Sequence, residues 1–165
     1  MSKPVKETMS YDATCDEVFT MFRDPAYVEA KLAGTGGSDT VVSVEEEGSD
    51  VIINAARTLP AKVPAFVKSI TGDTIRAVES DRWSPADDLG ARTAAVVIDF
   101  EGLPAGVTGT LSLHPVGEGS AIDVDLAVKA SVPLIGGKIE EVIADQVGRG
   151  VRQENKIGVA WLAEH

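Results

Sequence analysis

The sequence predicts an α+β fold: an antiparallel sheet of about seven strands, covered by a long C-terminal helix, with two short helices after the first strand. Three observations predict it. Most of the chain from Asp39 to Ala130 divides into β-rich segments joined largely by hairpin-length turns, the pattern of consecutive antiparallel strands. The last segment, Ala121–Ala130, alternates cleanly, with Ile122, Val124, Leu126 and Val128 on one face and Asp123, Asp125 and Lys129 on the other. From Lys138 to Ala163 the period becomes helical, with Ile139, Val142, Ile143, Val147, Val151, Ile157, Trp161 and Leu162 on its apolar side.

The elements follow in order. Lys3 to Tyr11 alternates weakly and reads as a first strand. Thr14 is a candidate N-cap, and Glu17 three residues on completes a capping box for a helix whose apolar face is Val18, Phe19 and Phe22. Asp24-Pro25 ends that helix, because proline disfavours helical geometry in the residue before it. Pro25 then suits the first turn of a second helix running to Leu32, and Gly34, Gly36 and Gly37 close it. Thr40–Glu46 and Asp50–Thr58 form a hairpin about Glu47-Gly48-Ser49. Leu59 to Thr71 is an apolar, proline-punctuated connection containing Pro60, Pro64, Phe66, Val67 and Ile70, with room for one short helix. It is long for a hairpin loop, which suggests that it covers something. Strands resume at Thr74–Trp83, Arg92–Phe100, Val107–His114 and Ala121–Ala130. Gly106 and Gly109 mark places where a strand can bend or bulge.

Composition narrows the function classes. One domain with a real core suits 165 residues, of which 44% are hydrophobic. A formal charge of −11, from 26 acidic and 15 basic residues with no dense basic cluster, disfavours nucleic acid and anionic membrane surfaces as partners. No apolar run approaches the roughly 20 residues that span a bilayer, so no stable membrane insertion is expected. The N-terminus lacks a signal-peptide pattern, and the expected location is cytoplasmic. Cys15 is the single cysteine, which removes any internal disulfide or multi-cysteine zinc site; its place at a helix start is where a thiol pKa can fall. His114 and His165 are too few for a histidine metal site, and His114 shares the outward parity of its strand. No cofactor, no metal site and no catalytic triad, phosphate loop or dinucleotide motif is expected.

The C-terminal helix carries the main functional signal. At 100° per residue, Gln146, Gly150 and Glu154 point along the same side as Ile139, Ile143 and Ile157. An amide, a missing side chain and a carboxylate on that side suggest that part of it meets a cavity rather than a solid core. Glu154 is the sharpest candidate, expected to be more than half buried with a polar or cationic partner; Arg57, Arg76 and Arg92 are the candidate partners from the sheet. Asn54 and Thr58, of one parity with Ile52 and Ala56, are candidate wall residues, although either parity of that strand is apolar enough to face inward. Phe66, in the covering connection, completes the cavity-lining set.

Three residue groups resemble the START-like (SRPBCC, helix-grip, Bet v 1-like) superfamily of plant pollen allergens and polyketide cyclases. They are the run from Tyr11 to Phe19 followed by Asp24-Pro25, the order of strands, and the run from Val132 to Glu140 that leads into the last helix. More narrowly, Thr58-Leu59-Pro60, Gly72-Asp73, Trp83 and Glu154 with Trp161-Leu162 resemble DUF2505, an actinobacterial family of unknown function. The resemblance implies a single helix-grip domain over residues 1–165, with a curved sheet gripping the helix and a hydrophobic cavity between them. It implies a protein that binds or carries a small hydrophobic molecule, lipid or polyketide-like; one candidate carboxylate and no inward histidine favour a binding protein over an enzyme. The alternatives are a cyclase- or aromatase-like enzyme using a cavity carboxylate, or an accessory protein for redox-enzyme assembly. Oligomeric state is left open.

Overall fold

The computed structural model describes residues 1–165. Its elements are β1 (Lys3–Tyr11), α1 (Cys15–Phe22), α2 (Pro25–Gly34), β2 (Ser38–Glu47), β3 (Asp50–Pro60), α3 (Ala65–Thr71), β4 (Thr74–Trp83), β5 (Arg92–Glu101), β6 (Ala105–Val116), β7 (Gly119–Ala130) and α4 (Gly136–Glu164). The strands form one curved seven-stranded antiparallel sheet in the order β1-β7-β6-β5-β4-β3-β2. β2 to β7 is therefore a simple meander, and β1 closes the far edge by pairing with β7 from Lys3↔Val128 to Tyr11↔Ser120. No helix is long and apolar enough to cross a membrane.

Local sequence sets the helix starts. Thr14 accepts from Glu17 N while the Glu17 carboxylate accepts from Thr14 N, the reciprocal capping box. The Asp24 side chain caps α2, with Pro25 in its first turn. α4 begins two residues earlier than its apolar period, at Gly136, and has no side-chain cap. It is anchored instead by Glu140, a carboxylate only 5% exposed, which accepts from Ala130 N at the end of β7. Further along, Asn155 bonds both backbone groups of Ser10, tying α4 to edge strand β1.

The concave face of the sheet carries the core. Met9, Val107, Leu113, Ile122 and Val128 are buried there, against Ile139 and Ile143 of α4. α4 packs on β1 and β7 and beside α2. Phe19, Phe22, Tyr27 and Trp83 form a chain of edge-to-face and tilted rings under α1 and α2. Between the β2–β5 half of the sheet and α4 runs the β3–β4 connection, where α3 inserts the fully buried Val67.

Gly109 bends β6. A methyl group at its Cα would meet the Asp125 carbonyl oxygen, backbone atoms that no rotamer can move aside. Gly109→Ala is expected to destabilise the fold by about 1–3 kcal/mol or more through backbone strain, whereas Gly106→Ala, tighter by only a few tenths of an ångström, should cost less. Paired urea melts of the two variants check this order.

Candidate functional site

The predicted cavity residues separate into distinct environments. Ile139 and Ile143 are buried core residues. Ile157 packs on α2, where a methyl on Gly34 would collide with its side chain, so Gly34 is small to admit Ile157. Gln146 donates from Nε2 to the Lys62 carbonyl and clips the β3–β4 connection to α4. At Gly150 an added methyl would meet nothing within 4 Å, so this glycine borders open space. Gly158 is the opposite: a methyl there would meet Tyr11 at 2.8 Å and both Met21 and the Tyr27 hydroxyl at 3.1 Å.

Two sequence expectations are corrected. Asn54 lies on the outer face of β3 and donates to Ser43, and Thr58 on the same parity accepts from Arg76. The buried parity is Val51, Ile53 and Ala55, continued by Arg57; its register partners are Val42 and Val44 on β2 and Ala77, Glu79, Asp81 and Trp83 on β4. Phe66 is 43% exposed, and its neighbour Val67 enters the interior instead, since a single helical turn can bury only one side. Burial, with Asp16 and Asp87 nearby, pushes the buried Cys15 thiol up, which makes it a structural and not a reactive cysteine.

Glu154 does find a cationic partner, but not one from the sheet. Lys31 Nζ of α2 lies 3.4 Å from Glu154 Oε1, and the two side chains are only 12% and 19% exposed. Of the three arginines, Arg76 bonds the Asp39 carbonyl and Arg92 stacks on Phe19 while bonding the Ser84 carbonyl. Arg57 points inward and donates to Glu79 Oε1 at 2.8 Å. Asp81, two residues beyond Glu79 on β4, shares that inward face and is 6% exposed. Lys31 lies over the Phe22 and Tyr27 rings, at 5.1 and 5.7 Å from their centroids.

The interior between sheet and α4 thus holds five ionisable groups: Lys31, Arg57, Glu79, Asp81 and Glu154. Burial pushes Asp81 well above the ordinary carboxylate range, and the charge of Glu79 and a hydrogen bond to it push the same way. Burial also favours the neutral form of Glu79, yet Arg57, the Asp81 hydrogen bond and Lys31 together hold it low. Glu154 is raised by burial, with Lys31 opposing. For Lys31 burial works downward, but Glu154, Tyr27, Glu79 and Asp81 outweigh it and keep the ammonium charged. Tyr11 and Tyr27 are raised by burial and by Glu154. Two cations face three carboxyl groups, of which Asp81 is the one pushed well towards its neutral form.

Three buried polar atoms beside this network have no partner: the Tyr27 hydroxyl, Asp81 Oδ1 and Trp83 Nε1. The ground where an apolar cavity was expected is occupied by charged side chains. Two distinct hollows lie elsewhere. One of about 300 Å³ sits at the rim between Arg23, Asp50 and Arg92; one of about 200 Å³ lies on the outer sheet face among Val41, Asn54, Val78 and Val97. No set of three His, Cys, Asp or Glu side chains is gathered at metal-ligating spacing.

Sequence reasoning found Glu154 and offered Arg57 among its candidate partners, but missed Lys31, Glu79 and Asp81. The available signal was parity: Glu79 and Asp81 alternate with Ala77 and Trp83 on one strand face, and Arg57 continues the parity of Ile53 and Ala55. Lys31 carries no such signal, because a lysine in the last turn of a helix is ordinary.

Comparison with known proteins agrees with this fold. The model of a family described as "Protein of unknown function (DUF2505)" matches residues 6–162, and the chain belongs to that family. Uncharacterized protein Rv0481c of Mycobacterium tuberculosis is 22% identical over 174 residues, covering 100% of this chain and 99% of its own length. Among solved structures, the Zhui aromatase/cyclase from a Streptomyces species superposes with a TM-score of 0.65 at 11% identity, covering 99% of this chain and 94% of that one. A STAR-related lipid transfer protein fragment from Xanthomonas axonopodis gives 0.62 at 13% identity, covering 96% and 84%. At these identities the likeness is one of fold, and the fold is the START-like helix grip.

Proposed function

We propose that this DUF2505 protein binds a small, mainly apolar molecule between the sheet and α4, with the polar end of that molecule at the Lys31–Glu154 cluster. The observation that carries the reading is the cluster itself. Packed apolar side chains in place of a buried ion pair are often as stable or more stable, by roughly 1–4 kcal/mol. Five ionisable groups kept in the middle of an otherwise apolar grip therefore point to a binding role. Gly150 supports it, since the helix gives up roughly 1 kcal/mol of propensity there without any close approach to explain the glycine. Gln146 ties the β3–β4 connection to α4 on the same side. The lipid-transfer and aromatase/cyclase neighbours share the fold and are compatible with such a role.

A second reading, a cyclase- or aromatase-like enzyme, has one observation in its favour. A neutral Asp81 beside an ionised Glu79 is an acid and a base held side by side, an arrangement suited to proton transfer.

Native mass spectrometry of protein purified from its own host tests the binding reading. A co-purifying apolar molecule is expected, and Gly150→Leu is expected to lose it while melting like the wild type. A wild-type protein that is ligand-free and takes up no apolar probe would overturn it. Glu154→Gln separates the classes: a binding site keeps its fold and changes affinity, whereas a catalytic carboxylate loses turnover with binding retained.

A further inference from the structure

Resting on that reading, we infer that the polar end of the interior selects an uncharged oxygen function, a ketone, ester or hydroxyl oxygen, over an ammonium or a carboxylate, with Tyr27 and Trp83 as the recognising groups and Asp81 beside them. The inference comes from a count of charges and of hydrogen-bonding groups. Lys31 is matched by Glu154 and Arg57 by Glu79, each in a close ion pair. The remaining carboxyl, Asp81, has a fully buried Oδ1 with no cation of its own within ion-pair distance. Charge balance with two cations and three carboxyls requires one of the three to be a neutral acid, and the unpaired one is Asp81. The interior then has zero net charge before a ligand arrives.

Each charged headgroup fails against that balance. A carboxylate would be a third anion with no third cation in the cluster, because Arg92, the further cation of the inward parity, stacks on Phe19 and bonds the Ser84 carbonyl at the rim; an uncompensated charge in such a place is strongly disfavoured. An ammonium carries only donors, and two of the three unpartnered groups are donors as well: the Trp83 indole N–H, which cannot accept, and the Tyr27 hydroxyl. It would also sit beside Lys31, whose Nζ is 5.7 Å from the Tyr27 ring centre. An uncharged oxygen has lone pairs for the Tyr27 hydroxyl or the Trp83 indole N–H and adds no charge. Tyr27, Trp83 and Lys31 surround a common element, the Phe22 ring, at 5.7, 6.0 and 5.1 Å from its centre. Tyr27 and Trp83 are fully buried and Asp81 nearly so, so any partner must come from inside the grip and not from bulk solvent.

The test uses full-length protein and a matched set of straight-chain probes of about the same length: decane, 2-undecanone, 1-decanol, decylamine and decanoate, measured by calorimetry near neutral pH. The ketone and the alcohol are expected to bind on the order of tenfold or more tighter than decane, decylamine and decanoate, the worth of one well-made buried hydrogen bond. Tyr27→Phe, which removes a hydroxyl without a protein partner, should fold at least as well as the wild type and should reduce the advantage of the oxygen probes over decane. Asp81→Asn, neutral and of the same shape, should retain most of it. Equal binding of all five probes would overturn the headgroup inference and leave the binding reading intact. Tightest binding of decylamine or decanoate would overturn it in favour of an ionic site. Failure of every probe to bind would overturn the binding reading itself.

Discussion

Lys31→Met is expected to destabilise the protein by about 3–5 kcal/mol, the range for stripping one partner from a buried ion pair. For a chain of this size that is a fall of roughly 6–20 °C in melting temperature. Methionine preserves the length and most of the methylene stem that lies against Phe22 and Tyr27, so packing loss is small and the effect is electrostatic. What remains is Glu154 with its nearest cation gone, and Glu79 and Asp81 deprived of the ammonium that faces them. The loss should shrink in acid, because Glu154 is already raised by burial and can escape the penalty by taking up a proton. The double variant Lys31→Met/Glu154→Leu should recover most of the stability, since removing both members of a pair leaves no orphaned charge. Urea denaturation of the three proteins decides it. A single variant as stable as the wild type would mean that water screens the pair and that the cluster is not an interior network.

Much of the architecture was legible because backbone periodicity is a local property. The β7 alternation, the Thr14–Glu17 capping box and the Asp24-Pro25 break each depend on residues within a few positions of one another, and the structure contains all three. The site was less legible because its members come from four separate elements. Glu154 could be singled out on α4, since a carboxylate in an apolar row is locally anomalous. Its partner could not, because an acidic residue of an interior face attracts whichever cation the tertiary fold brings near. Three arginines on the sheet were plausible, and the fold delivered a lysine from α2.

Asn54 and Phe66 show a different obstacle. In β3 both rows, Val51-Ile53-Ala55 and Ile52-Asn54-Ala56, contain apolar residues, and the choice between them is made by pairing with β2 and β4. In α3 the turn could rotate either Phe66 or Val67 inward; the buried gap accepts the smaller, β-branched side chain. Glu140 was invisible as an interior carboxylate for a related reason. Its partner is a backbone N–H at the end of β7, and no sequence pattern marks the place where a strand leaves an N–H unpaired.

Asp81 makes a prediction about pH whose sign follows from the same cluster. Burial first, and the adjoining Glu79 second, push its carboxyl well above the ordinary range, so the folded protein holds a proton that the unfolded chain releases near pH 4. The slope of unfolding free energy with pH is proportional to protons bound in the unfolded state minus those bound in the native state. Here that difference is negative, so stability falls as pH rises above about 4 and keeps falling until the folded-state value of Asp81 is reached. One proton corresponds to as much as about 1.4 kcal/mol per pH unit. Glu154 is raised too and adds to the fall at the acidic end of the window. Glu79 is held low and acts with opposite sign, but only below about pH 4.5, and Lys31 is held high and titrates only above about pH 10. Between about pH 5 and 8 the melting temperature of the wild type should therefore decline relative to that of Asp81→Asn, whose amide cannot titrate. Comparing the two proteins at each pH removes the general effect of the −11 net charge, which is nearly the same in both. Parallel curves across that window would show that Asp81 ionises normally in the folded state, and the neutral acid at the centre of the cluster would have to be given up.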